Sequence, residues 1–149
     1  MVELAGIAIR KKSRAPMQAL QECEISLARG LAGDFRGKPG KRQVTVLSEE
    51  AWLRACSEVG QTLPWLTRRA NLLVRGLEFS ALDVGKILCI GAVKLQISRE
   101  TDPCQRMDDA LPGLKNALAP DWRGGVCCRV VAAGEIRVGD SVLINAATG

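Results

Sequence analysis

The sequence predicts a mainly β fold, a closed barrel with a few short helices at its periphery. Short runs rich in Val, Ile and Leu recur from Leu4 to Ile144, each bounded by glycine or other turn residues. Helical periodicity is confined to about two segments. Many short strands in 149 residues leave exposed edges unless the sheet closes on itself, which favours a barrel. A chain of this length buries roughly 70% of its unfolded surface and reads as one domain, residues 1–149.

In order along the chain, strands are expected at Leu4–Ile9, Glu24–Leu27, Gln43–Leu47, Asn71–Arg75, Ile87–Ile90, Val93–Ile97, Val126–Ala132 and Ser141–Ile144. Gly91-Ala92 between two of these runs has the glycine-first form of a type II′ hairpin. Ala133-Gly134-Glu135 and Val138-Gly139-Asp140 read as further turns. Ser48 is placed to cap a helix with Glu49 and Glu50 in its first turn. Trp52, Ala55, Cys56 and Val59 then recur at helical spacing, and Gly60 ends it. A second short helix is expected near Leu114–Leu118.

The six cysteines, at 23, 56, 89, 104, 127 and 128, form no C-x-x-C pair and no regular framework. Neither a set of disulfides nor a closed zinc site is expected. The apolar run Val2–Ile9 is too short for a signal-peptide core, and its Arg/Lys cluster follows instead of preceding it. Both features predict a reduced, cytoplasmic protein, and no stretch approaches transmembrane length. The net charge of +5 suits an anionic ligand, whereas three Trp and two Phe offer little for stacking nucleic-acid bases.

The chain has no histidine and no tyrosine, which removes Ser-His and Cys-His catalysis and most catalytic zinc sites. Cys104 lies in the polar stretch from Arg99 to Asp108, held by Pro103 and flanked by Arg99 and Arg106. Reactive thiols occupy such electropositive, partly exposed settings, so Cys104 is the candidate for chemistry. Cys56 and Cys89 fall on apolar faces and read as structural. Cys127 and Cys128 must leave a strand on opposite faces, so one of them can line a cavity.

Three further clusters accompany Cys104. The loop from Gly30 to Arg42 gathers glycines with Arg36, Lys38, Lys41 and Arg42, and can hold an anion. Arg68, Arg69 and Asn71 precede a strand, where arginines can grip phosphate in bidentate fashion. A solvated basic loop and a surface arginine pair with a turn-forming Asn fit the same residues. Arg123-Gly124-Gly125 allows close backbone approach or makes a barrel corner.

Taken in order, Gly33-Asp34-x-Arg36, Arg42-Gln43-Val44-Thr45-Val46-Leu47 with Glu50, Arg69-x-Asn71 with Gly76, Pro103-Cys104, and the run from Gly124 to Val142 resemble the MOSC domain. That domain forms the C-terminus of molybdenum-cofactor sulfurases, and the resemblance spans about Gly6 to Ile144. It implies a closed barrel like the small domain of pyruvate kinase. It also implies that Cys104 is the family's functional cysteine, carrying sulfur as a persulfide or ligating molybdenum. Arg36, Lys41, Arg42, Arg68, Arg69 and Asn71 would then bind molybdopterin through its phosphate. Many relatives carry His where Arg36 stands, and arginine has no lone pair to offer a metal.

The function expected on this resemblance is that of a molybdenum-cofactor-binding or sulfur-carrier protein, with sulfurtransferase-like transfer through Cys104. A molybdenum-dependent reductase of N-hydroxylated substrates and a non-catalytic partner-binding barrel are the alternatives. Partners would be a cysteine desulfurase, or a molybdoenzyme or electron-transfer protein. Pyridoxal phosphate would enter only through the partner desulfurase, because the chain shows no Schiff-base pocket of its own.

Overall fold

A computed structural model describes residues 1–146. Strands β1 (Glu3–Ile9), β2 (Gln18–Leu20), β3 (Glu22–Ser26) and β4 (Gly30–Leu31) come first. Strand β5 (Val44–Ser48) leads through helix α1 (Glu49–Val59) to β6 (Leu72–Arg75). Then follow β7 (Ile87–Ile90), β8 (Val93–Glu100), α2 (Gln105–Ala110), α3 (Leu114–Leu118), β9 (Val126–Ala132), β10 (Gly134–Arg137) and β11 (Val142–Asn145). The fold is mainly β, with these few short helices.

Eight strands form one sheet in the order β11-β7-β8-β9-β5-β6-β1-β2, and β10-β3-β4 form a second. The expected closed barrel is not confirmed, because among the described residues no sheet closes on itself as a continuous ladder. Strand β1 and the residue just before β11 meet at an isolated bridge between Glu3 and Ser141. Backbone bonds flank it, from Leu4 N to Asp140 O (2.8 Å) and from Val142 N to Val2 O (2.9 Å). Two diversions limit the seam. Strand β2 pairs with the C-terminal half of β1, and β10 pairs with β3 instead of continuing along β1.

Alternation along the strands divides the apolar side chains between two layers. Val44, Val46, Leu72, Val74, Val126 and Cys128 point into the main core with Leu4, Ile7, Leu95 and Ile97. Leu47 and Leu73 point to the other face, where Trp52, Cys56, Met107, Leu114 and Leu118 from the helices cover them. Cys56 is therefore a core residue, as the helical spacing predicts. Helix α1 forms as expected. Ser48 Oγ accepts from Ala51 N at 3.2 Å, and Gly60 closes the helix with φ +79°.

Strands β5 and β6 run parallel, which requires a crossover connection. Helix α1 and a 3₁₀ turn at Trp65–Arg68 supply it, and this turn delivers Arg68, Arg69 and Asn71 to the start of β6. Gly134 and Glu135, expected in a turn, instead belong to β10. Helix α2 replaces part of the loop expected after Cys104, and Cys104 occupies its N-cap position.

Candidate functional site

A cavity of about 360 Å³ opens on the outer face of the large sheet, where the helical layer ends. Thr45 and Cys127 line its floor from β5 and β9, and Ala70 and Met107 belong both to its wall and to the helix-covered core. The volume lies within the range of about 300–1,000 Å³ typical of small-molecule sites. Cys104, Arg36, Arg42, Arg68, Arg69 and Asn71, all singled out in the sequence, line it together. Lys41 does not. It lines an adjoining groove with Lys38 and Arg99, and Arg36 and Arg42 border both spaces.

The side chains have different work. Asn71 is buried, and its Oδ1 accepts from Thr45 N (3.0 Å) and Oγ1 (3.2 Å) while Nδ2 donates to Ala8 O (3.2 Å). It fastens β5 and β1 beside the start of β6. Arg68 is also buried, with Nε donating to Gly124 O (3.1 Å) and Nη2 to Thr101 O (2.9 Å). It ties the β9 approach to the segment that carries Cys104. Gly124 permits this closeness, since a Cβ there would lie 2.4 Å from Thr101 O.

Arg69 adopts a left-handed backbone (φ +67°, ψ +31°), uncommon for a non-glycine residue. Its Nη2 donates to Ala15 O at 2.8 Å, but its buried Nε has no partner. An unpaired buried donor costs free energy unless something accepts from it. Gln43 positions the basic loop above the cavity. Its Nε2 holds Leu27 O (2.7 Å) and Gly37 O (3.0 Å), and its Oε1 accepts from Val130 N (2.9 Å).

Two cations join the site beyond those the motifs picked out. Arg10 follows β1 and is buried. Its backbone N–H donates to Asp34 Oδ1 at 3.1 Å, and its guanidinium lies 5.8 Å from the Phe35 ring centre. Arg106 reaches the cavity from the first turn of α2. Burial pushes the Arg69 guanidinium below its ordinary value, and Arg106 and Arg36 push in the same direction. Burial lowers Arg10 likewise, with Arg69, Arg36 and Arg106 adding to the effect and Asp34 opposing it. For Arg68, burial lowers the value, while Cys104, Cys127 and Asp102 support the charge.

The lining holds six arginines against two aspartates, Asp34 and Asp102, an excess of four positive charges. Such mutual repulsion persists only where an anion or solvent offsets it, so the site favours an anionic ligand. Cys104 is exposed beside these charges and its side chain makes no capping hydrogen bond. Among the described residues, no group of three or more His, Cys, Asp or Glu side chains is placed to hold a metal. A metal here needs a ligand that brings its own donors.

These features fit a phosphorylated cofactor. The arginine cluster and the orphaned Arg69 Nε suit its phosphate, and the Cys104 thiol supplies a soft donor. Arg10 escaped motif reading, and Cys127 was marked only as one of a pair. The available signal for Arg10 was that it directly follows a strand; strand alternation did predict that one of Cys127 and Cys128 lines a cavity, and Cys127 is the one that does.

Solved structures share this architecture. YuaD from Bacillus subtilis superposes with a TM-score of 0.81 at 20% identity, over 99% of this chain and 98% of its own. YiiM from Geobacillus stearothermophilus gives 0.79 at 16% identity, over 97% of this chain and 75% of its own. YiiM from Escherichia coli gives 0.73 at 16% identity, over 99% and 71% respectively. Among curated proteins, none matches the sequence. The family model described as MOSC domain matches residues 30–143, a span running from the basic loop through Cys104 to β11. The chain therefore belongs to the MOSC domain family, which is associated with molybdenum-cofactor binding.

Proposed function

We propose that the chain, acting as one domain over residues 1–149, binds the molybdenum cofactor or handles its sulfur, with Cys104 as persulfide carrier or molybdenum ligand. The observation that carries this reading is the meeting of an exposed thiol and an uncompensated arginine cluster in one cavity. The Arg69 Nε donates to a phosphate oxygen, and Arg36, Arg42 and Arg106 add charge around it. Arg10 lies behind them, and Lys41 supports the same field from the adjoining groove. Asn71 holds the strands that position Arg69. Arg68 keeps a positive charge close to Cys104 and Cys127.

In sulfur transfer, the Cys104 thiolate attacks the outer sulfur of a donor persulfide. A bond forms between Sγ and that sulfur, the donor S–S bond breaks, and the donor leaves as a thiolate. A cysteine desulfurase is the fitting donor, and pyridoxal phosphate belongs to that partner. A bound cofactor would supply a redox-active metal, and electron-transfer proteins would then be the partners. All six cysteines are unpaired, in keeping with a reducing, cytoplasmic setting. No described helix is long and apolar enough to cross a membrane.

The test is expression in a host that makes the cofactor, followed by molybdenum analysis, pterin fluorescence and intact mass. Wild type should carry molybdenum with pterin, or a sulfur atom added at Cys104. Cys104→Ser should lose the sulfur adduct or the metal, and Arg69→Gln should lower pterin content. A wild-type protein free of pterin, molybdenum and added sulfur, even when isolated with a desulfurase, would sink the proposal.

A further inference from the structure

Cys127 and Cys128 leave β9 on opposite faces, and the structure decides which one meets the site. Cys128 is packed in the main core, whereas Cys127 lines the cavity that Cys104 also lines. Cys23, Cys56 and Cys89 line neither that cavity nor the adjoining groove. The site thus holds two of the six thiols, one exposed after a proline and one buried in a strand.

The segment before Cys104 is tied to β9. Thr101 N donates to Gly125 O at 2.9 Å, and Thr101 Oγ1 lies 3.2 Å from Cys127 Sγ. Arg68 bridges the same two segments through Gly124 O and Thr101 O, and its charge is supported by both thiols. Cys104 lies beyond the end of β8, outside any strand ladder. Cys104 stands three residues beyond Thr101 and lines the same cavity as Cys127.

From this arrangement we infer that Cys127 is the resolving thiol for Cys104, releasing its sulfane sulfur into the cavity as hydrosulfide. The substrate of this step, a Cys104 persulfide, rests on the sulfur-carrier reading above, whereas the pairing of the thiols does not. Cys127, losing its proton to solvent, attacks Cys104 Sγ. The Cys104–Cys127 bond forms, the bond from Cys104 Sγ to the outer sulfur breaks, and the outer sulfur leaves with the electron pair. It is reduced to hydrosulfide while the two cysteines are oxidised to a disulfide. A dithiol reductant then attacks that disulfide, leaves as its own disulfide, and restores both thiols. The surrounding arginines give the departing anion a favourable field.

Two measurements test this. Reduced protein freed of reductant is treated with diamide, which takes two thiol hydrogens per disulfide, and non-reducing peptide mapping locates the product. A Cys104–Cys127 peptide pair is expected. Cys104 trapped between molecules or over-oxidised, with Cys127 still open to alkylation after denaturation, would overturn the pairing.

The same protein is then loaded with inorganic polysulfide. Wild type should release hydrosulfide and end with the same disulfide. Folded Cys127→Ser and Cys127→Ala should hold the Cys104 persulfide, with release slower on the order of tenfold or more. Equal release from wild type and both variants would refute the resolving role. If Cys104 takes up no sulfur in any of them, the sulfur-carrier reading falls, and the diamide experiment alone decides the pairing.

Discussion

Asn71 and Arg69 stand two residues apart on the same cavity wall, yet of the two only Arg69 leaves a buried polar atom without a partner. Every polar atom of the Asn71 side chain is engaged by β1 and β5, whereas Arg69 Nε is buried without a partner. Residue type marked both as ligand contacts in the sequence. What it could not show is that Asn71 is already occupied by backbone groups more than two dozen positions away. The place of Cys104 beside arginines was legible because its own short segment carries Arg99 and Arg106. Which of Cys127 and Cys128 meets the cavity was not, because that depends on which face of β9 the helices leave uncovered. Cys128 makes a separate prediction. Burial pushes the Cys128 thiol far above the ordinary thiol range, and burial raises Cys23 more modestly. A raised folded value means the native state keeps protons that the unfolded chain loses. The stability is therefore complete below the unfolded thiol value of about 8.5 and falls as pH rises above it. Unfolding free energies from urea titrations between pH 8 and 10.5 should decline by up to about 1.4 kcal/mol per pH unit for one such thiol. Cys128→Ala should flatten that decline to the residual contributed by Cys23; an unchanged slope would show that Cys128 does not control it.

Helix α1 was readable almost to the residue, because its cap, first-turn acids, apolar spacing and terminal glycine all lie within the segment itself. Helix α2 has six residues, too few for periodicity to register, and only Met107 is buried. Strands β2, β4 and β10 run to two, three or four residues, so pairing rather than local preference defines them. Gly134 has turn chemistry in sequence, yet it pairs with Ile25 in the small sheet. Gly124-Gly125 shows the opposite case, in which the suspected close approach is real. Gly125 has φ +98°, and a Cβ there would sit 2.4 Å from Val46 O. The start of β9 is therefore pressed against β5 at the floor of the cavity. Gly125→Ala should cost about 2–3 kcal/mol through combined backbone strain and collision. It should also displace Thr101, whose N–H binds Gly125 O, and so loosen the Cys104 segment. Chemical denaturation checks the first effect, and the alkylation rate of Cys104 checks the second. A variant as stable as wild type would mean that this contact relaxes freely.

The curl of the large sheet explains why residues from five separate segments meet. Arg10 follows β1, Arg36 and Arg42 come from the loop before β5, and Arg68 and Arg69 precede β6. Arg106 and Cys104 follow β8, and Cys127 lies in β9. The mainly β character was legible from local composition, and so was the grouping of Cys104 with Arg36, Arg42, Arg68, Arg69 and Asn71 from the order of motifs, whereas the place of Arg10 was not. The incomplete seam between β1 and β11 was not, because it depends on β2 and β10 competing for partners. Charge follows the same geography. The six arginines and two aspartates of the cavity, taken out of the chain's 21 basic and 16 acidic residues, leave the remainder almost neutral. The net charge of +5 is thus largely a property of one concavity. A diffuse cationic surface would attract anions weakly, but a focused one should bind even inorganic phosphate with a marked salt dependence. The Debye length falls to about 8 Å at 0.15 M salt, so the exposed Arg36, Arg42 and Arg106 should be screened more than the half-buried Arg69. Phosphate should raise the melting temperature at low ionic strength by selective binding to the folded state. That gain should shrink several-fold in 0.3 M sodium chloride and should also shrink in Arg36→Gln. Arg137→Gln, whose side chain pairs with Glu22 outside the cavity lining, serves as the control. If it weakens phosphate binding as much as Arg36→Gln does, the attraction belongs to the net charge of the protein and not to the cavity.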